Sequence, residues 1–397
     1  MEKDLSGLNT ISQEKEEAIL DALLNFKIKM IPESTRFWMI RTQKGYFYEE
    51  FIGRKFVAIA WNNIDENTDF SEEAKEYLKD EIMLKFPEIK RPSTVINKCN
   101  NFINEIKEGD ILVIPSKGSQ YITFAIAGEY YEDKIKTVDL ETTVISRIRN
   151  NDVYVNDVSC PYKKRRKISI LRTLSSDDVN VSLYRAISNY HGISNLDNYS
   201  FQILNELYNC YSFQDYTVLV YNIRKSGPIK PRELSNLIYG NTQCLCSVFS
   251  EEILSTQMEL HSPGDAIYYL KTGFHILKDN WTVILGLLVI FGGGKAVSFK
   301  VPGLAEILKN ILLIPEELRS KKIENDIKEV DLQSKRLELQ QKIKDSGIEP
   351  ESLISPLEAI VSSTNSLHVE PIILNDNQPA VCPTLRQNEE SNDIDEE

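Results

Sequence analysis

Residues 110–127, Asp110-Ile-Leu-Val-Ile-Pro-Ser-Lys-Gly-Ser-Gln-Tyr-Ile-Thr-Phe-Ala-Ile-Ala127, set two short runs of β-branched and aromatic residues on either side of Ser116-Lys117-Gly118-Ser119. Runs of this kind, bounded by Gly, Ser and Pro, read as two strands joined by a short loop. Upstream, Phe37 to Thr42 and Phe56 to Trp61 have the same texture. Between the two pairs, Ser71 to Phe86 places Ala74, Leu78, Ile82 and Phe86 at helical spacing, and Val95 to Ile106 supplies a second helix before the Gly109-Asp110 turn. The order β, β, α, α, β, β over residues 33–160 predicts a small, partly closed barrel with helices on its flank.

Around this domain the texture changes. Residues 1–32 read as a lead-in helix, with Ala18, Ile19, Ala22, Leu23 and Phe26 on one face from Ser12 to Met30. After the Cys160-Pro161 break come five consecutive cations, Lys163, Lys164, Arg165, Arg166 and Lys167, so residues 161–176 are expected to be a basic linker whose patch is either a solvated loop or an exposed docking face for nucleic acid or lipid. Residues 177–260 read as a mainly helical coupling or assembly domain, although Thr217 to Ile223 has strand texture and Gly227-Pro228-Ile229-Lys230-Pro231 forces a turn. Residues 261–315 hold an apolar segment, 316–348 a charged helix with Ile323, Ile327, Val330 and Leu337 at helical or heptad spacing, and 349–397 an acidic tail expected to be disordered. The fold class that results is α+β, a barrel followed by a mainly helical half with one strongly apolar helix.

Composition narrows the function. With 397 residues and 42% apolar content the chain has enough material for two or three cores. A net charge of −13 argues against indiscriminate coating of nucleic acid, so any such contact should be local. Six scattered cysteines, with only Cys244 and Cys246 close, lack zinc-site spacing and suit a reducing compartment. The start, MEKDLSGLNT, has no basic stretch leading into an apolar one, so a cleaved secretion signal is not expected.

Catalytic motifs find no home. A metal-dependent nuclease needs a strand-borne E-x-K or Q-x-K, whose carboxylates hold metal while the lysine stabilises developing charge. Glu88-Ile-Lys90 lies among prolines, Glu105-Ile-Lys107 closes a predicted helix and Gln333-Ser-Lys335 lies within the charged helix. Four histidines, no G-x-S-x-G and no phosphate loop at Gly292-Gly293-Gly294-Lys295 leave no hydrolase or nucleoside-triphosphatase signature. No catalytic residue, metal or cofactor is expected.

The aromatic cluster at the barrel is the remaining chemistry. Trp38 and Trp61, with Arg41, Tyr46, Phe47, Tyr48, Tyr130 and Tyr131, could fill a core or stack a base while a cation holds phosphate. F-W-M-I-R-T-x-K-G (Phe37 to Gly45), V-A-I-A-W (Val57 to Trp61), F-I-x-E-I-K-x-G-D-I-L-V-I-P (Phe102 to Pro115) and I-A-G-E-Y (Ile126 to Tyr130) together resemble the N-terminal domain of Mrr-like prokaryotic restriction proteins, which is similar to PUA-like barrels such as EVE. The resemblance covers about Ser34 to Ile148 and implies a domain that binds modified bases or nucleotides; Trp38, Arg41, Gly45, Trp61, Gly109, Asp110 and Pro115 match its recurrent positions. Candidate ligand residues are Trp38, Arg41, Trp61, Asn62, Ser116, Lys117 and Tyr130. The downstream nuclease domain of the restriction pattern is not recognisable, and the layout resembles sensor-plus-membrane effectors of bacterial antiphage systems.

The output of such an effector would be WTVILGLLVIFGGG, Trp281 to Gly294. As a helix it is about 21 Å long, short of a hydrocarbon core of about 30 Å, and reads by length as buried or re-entrant. Extended to Phe299 it has one charge, Lys295, and Trp281 with basic flanks resembles an interfacial belt. Trp281, Leu285, Leu288, Phe291 and Lys295 are the candidate membrane residues, and the alternative is a core or oligomer-interface helix. The expectation is therefore an antiphage effector that senses a nucleic acid, nucleotide or partner and acts as a homo-oligomer at inner-membrane lipid, with a second defence-system protein as a further partner. The alternative is a cytoplasmic modified-DNA-binding specificity subunit of a restriction system.

Overall fold

The structure, a computed structural model, describes residues 6–150, 159–189, 192–249, 254–258, 264–271, 282–293, 304–313 and 327–374. The fold is mixed α and β, about half helical, with twelve α-helices and a curled half-barrel sheet among the described residues. It splits into two compact units, Arg36–Ser200 and a discontinuous one of Met1–Thr35 with Phe201–Ile373, each with a separate hydrophobic core. The helix expected in residues 1–32 is present. Helix α1 (Ser6–Leu24) and strand β1 (Lys29–Met30) belong to the unit that the last half of the chain completes, with Ile19, Leu20 and Leu23 in its core.

The Arg36–Ser200 unit runs β2 (Phe37–Arg41), α2 (Tyr48–Arg54), β3 (Phe56–Ile59), α3 (Glu72–Lys85), α4 (Pro92–Asn100), β4 (Ile111–Pro115), β5 (Tyr121–Glu132), α5 (Val138–Arg149), β6 (Lys164–Ser175), α6 (Val181–Asn189) and β7 (Gly192–Asn195). Its six strands are ordered β3-β6-β5-β4-β2-β7, with β2 and β4 parallel and every other pair antiparallel. The four strands and two helices expected from periodicity are present. Helix α2 was not expected; it buries Tyr48, Phe51 and Ile52 after the Lys44-Gly45 turn.

The basic linker expected at 161–176 is corrected, because β6 fills most of it and pairs with both β3 and β5. Its charges are met inside the fold. Lys163 Nζ lies 2.9 Å from Asp65 and 3.0 Å from Glu132, and Arg165 lies 3.0 Å from Asp133. Arg166 is buried and donates to the carbonyls of Gly128, Phe102 and Ile106, and Lys167 pairs with Glu129 at the surface. A run of like charge is a solvated face only where nothing of opposite polarity folds against it.

Beyond Ser200 the chain forms α7 (Ser200–Leu207), β8 (Cys210–Phe213), β9 (Tyr216–Ile223), α8 (Pro231–Cys246), β10 (Leu254–Met258), β11 (Gly264–Lys271), α9 (Thr282–Phe291), α10 (Leu304–Leu312), α11 (Ile327–Asp345), α12 (Ile354–Ser366) and β12 (Val369–Glu370). The segment 177–260, read as mainly helical, carries α6, α7 and α8 together with strands β7, β8, β9 and β10, of which β8, β9 and β10 join the sheet β1-β8-β9-β11-β10, with β12 on β9. The strand texture at Thr217 to Ile223 becomes β9. Helix α11 carries the charged segment and ties it to α1 through Lys335 with Glu17 and Asp21, and Arg336 with Glu16. Residues 349–373 are not a disordered tail, since α12 buries Leu357, Ile360 and Val361 in the core; residues from 375 onward lie outside the described ones.

The apolar stretch appears among the described residues as helix α9, packed in the core of its unit. Ten residues rise about 15 Å, and every side from Val283 to Phe291 is buried against α1, α8, α11 and α12. Close approach needs its glycines. A Cβ on Gly292 would lie 2.1 Å from the Tyr221 ring, and one on Gly286 would lie 3.1 Å from the Phe26 ring. The Tyr221 hydroxyl donates to Asn241 at 2.6 Å and stands 3.3 Å from the Leu288 carbonyl oxygen. Leu285, Leu288 and Phe291 are therefore core residues, while Trp281 and Lys295 lie outside the described ones. Among the described residues no helix is long and apolar enough to cross a membrane.

Candidate functional site

Four chain segments end at one edge of the Arg36–Ser200 unit in conformations that ordinary residues avoid. After β2, Gln43, Lys44 and Gly45 take φ of 47°, 55° and 84°; after β3, Trp61 takes 69°. Gly118 and Ser119 in the β4–β5 loop take 69° and 58°, and Gly192 at the start of β7 takes 74°. Left-handed backbone at a bulky aromatic residue is a genuine outlier, and such strain gathers at binding and catalytic sites. Gly45 is required by contact as well, since a Cβ there would sit 2.5 Å from the Ser116 carbonyl carbon.

These segments enclose two adjoining cavities. The first, of about 220 Å³, is lined by Arg41, Lys44, Ile59, Trp61, Lys98 and Ile193 among others. The second, of about 620 Å³, shares Arg41, Lys44 and Gly192 with it and adds Ser119, Tyr184 and Ser188. Arg41 and Lys98 have no carboxylate partner among the described residues. Arg41 donates one guanidinium nitrogen to Ser119 Oγ, and its Nε is buried without a partner. Burial in the cleft lowers the pKa of both Arg41 and Lys98. The Lys98 ammonium comes so close to Gly192 that a Cβ there would lie 2.6 Å from Nζ. Two half-buried cations, with Lys44 as a third on the rim, favour an anion.

Trp61 is held from behind. Its N–H and that of Asn62 both donate to the Glu141 carboxylate at 2.7 Å, and its carbonyl accepts from Lys164 Nζ at 2.5 Å. Lys164 Nζ also donates to the Ile64 carbonyl at 2.8 Å. Burial raises the pKa of Glu141 against the lowering effect of those two amides, and burial lowers that of Lys164.

Residues 38–185 match a family model described as "Domain of unknown function (DUF8426)". The match falls within the compact unit and takes in Arg41, Lys44, Trp61, Lys98, Glu141 and Tyr184. No curated protein and no solved structure matches the chain.

Of the residues singled out in the sequence, the cleft gathers Arg41 and Trp61. Trp38 is core, 6% exposed, with its indole N–H donated to Asp110 at 3.1 Å. Asn62 is a latch: its amide donates to the carbonyls of Thr137 and Pro161, and its oxygen accepts from the Lys163 N–H. Ser116 is buried and accepts from the Tyr121 N–H, Lys117 is exposed beside the cleft rather than lining it, and Tyr130 donates to Glu132 with its ring against Phe102. The run Lys163 to Lys167 lines neither cavity. Sequence reasoning missed Lys44, Lys98, Glu141, Tyr184 and Gly192. Lys98 had a signal: it sits within the apolar stripe Val95, Cys99, Phe102, where a cation needs a reason. Among the described residues no cluster of three metal-binding side chains occurs.

Proposed function

We propose that the Arg36–Ser200 unit is a nucleotide-binding module, taking either a free nucleotide or one presented by a nucleic-acid strand. The base lies against Trp61 in the smaller cavity, and the phosphate is held by Arg41, Lys44 and Lys98. The observation that carries this reading is the convergence of Arg41 and Lys98, half-buried and without a carboxylate partner among the described residues, on a cavity that Trp61 lines. An arginine with a buried, unpartnered Nε is suited to an oxyanion, and an aromatic face beside it is suited to a base. The sequence resemblance to base-binding PUA-like domains supports the same class of ligand. In an antiphage effector of the layout drawn from the sequence, this module would be the sensing half.

The test is equilibrium binding of the full chain to the four deoxynucleoside 5′-monophosphates and to a short single strand with and without base modification, at physiological salt. Binding is expected to fall by about tenfold or more in Arg41→Met and in Lys98→Met, the worth of a lost charge-assisted contact. Absence of binding to every one of these probes by the wild-type chain would overturn the reading.

A further inference from the structure

We infer that Glu141 and Lys164, which line neither cavity, are positioning residues that set Trp61 as the stacking surface of the cleft. The inference rests on the nucleotide-binding reading above. Trp61 holds a left-handed conformation, with φ of 69°, that a bulky side chain adopts only when its surroundings over-determine it. Glu141, in the first turn of α5, is 3% exposed and uses one carboxylate oxygen for the Trp61 N–H and the other for the Asn62 N–H, both at 2.7 Å. Lys164, on β6, is fully buried and grips the Trp61 carbonyl from the other side at 2.5 Å.

Hydrogen bonds thus reach both the N–H and the carbonyl of this one residue, and the Asn62 side chain pins the next through Thr137, Pro161 and Lys163. A buried carboxylate and a buried ammonium are an expensive way to hold a loop that a glycine could relax. What glycine could not supply is an indole at the smaller cavity, which Trp61 lines. The pair therefore serves the direction of one side chain, with the phosphate-holding cations Arg41, Lys44 and Lys98 outside its reach of hydrogen bonds.

That separation makes the inference testable on the full chain. In Glu141→Gln one oxygen is replaced by an NH2 group, so one of the two backbone N–H groups faces a donor. Affinity for the deoxynucleoside monophosphates is expected to fall about tenfold, roughly the worth of one base–aromatic stack, while affinity for inorganic phosphate and pyrophosphate stays that of the wild type. Glu141→Asp keeps both oxygens on a shorter stem and should fall between the two; it carries the test if the glutamine variant does not fold. In a Trp61→Gly background Glu141→Asp should have no further effect on nucleotide binding. Unchanged nucleotide affinity, or a parallel loss of phosphate and nucleotide, overturns the positioning role. A wild-type chain that binds phosphate but no nucleotide removes the stacking surface, and one that binds neither removes the nucleotide-binding reading itself.

Discussion

Two groups of cations in the Arg36–Ser200 unit behave in opposite ways. The run Lys163 to Lys167 is the densest positive charge in the sequence, yet Arg165 and Arg166 are buried on carboxylates and backbone carbonyls, Lys164 is fully buried, and Lys163 is shared between Asp65 and Glu132. Arg41 and Lys44 come from the end of β2 and the turn after it, Lys98 from α4, and Arg41 and Lys98 meet no carboxylate among the described residues. Availability to a ligand therefore follows from what has folded against a charge. Local density of charge in the sequence is a poor guide to it.

The largest effect should come from breaking the inward group. Arg166→Leu keeps much of the volume but strands the carbonyls of Gly128, Phe102 and Ile106 without their donor. We expect a loss of about 3 kcal/mol or more, read as a lowered urea midpoint. A loss of ligand affinity at unchanged stability would mean that the run is a docking surface after all, and the comparison would collapse.

The outward group should respond in reverse. Arg41→Met or Lys98→Met removes a half-buried charge that no carboxylate among the described residues balances, so stability should stay within about 0.5 kcal/mol of the wild type or rise. Affinity for single-stranded DNA should nonetheless drop, with the slope of log affinity against log salt shallower by about one. A stability loss as large as that of Arg166→Leu would place these side chains among the structural ones.

How much of this could be read beforehand follows from the range of the interactions. Strands β2, β3, β4 and β5 and helices α3 and α4 were legible because alternation and helical spacing are local. β6 was not: its pattern is masked by lysines and arginines whose partners, Asp65, Glu132 and Asp133, lie about thirty to a hundred positions away in sequence. The apolar stretch stayed ambiguous for the same reason. An all-round apolar helix looks alike whether lipid or protein surrounds it, and α1, α8, α11 and α12 surround α9 only once the chain has returned to its first residues. Arg41 and Trp61 were found because aromatic and cationic residues close in sequence share a site, whereas Lys98 and Glu141 reach it from helices.

The smallest expected effect concerns pH and separates Lys98 from Lys164, two lysines whose pKa burial lowers. Lys164 hydrogen-bonds backbone within the fold, so its titration should appear in stability. Lys98 lines the cleft, so its titration should appear in affinity as well as in stability. Phosphate binding needs the ammonium form; as pH rises through the lowered pKa of Lys98 the charge is lost, and affinity should begin to fall below the 10.5 of an ordinary lysine. The same shift acts on folding with the opposite sign. The folded state holds this proton less tightly than the unfolded chain, so its contribution to stability rises with pH between the lowered pKa and 10.5. Lys98→Arg keeps its charge throughout, and should abolish the alkaline fall while leaving neutral-pH binding close to that of the wild type. Nucleotide affinity measured from about pH 7 to about pH 10 in both proteins decides it: parallel curves would assign the ligand's phosphate to Arg41 and Lys44, and leave Lys98 a half-buried cation with no ligand.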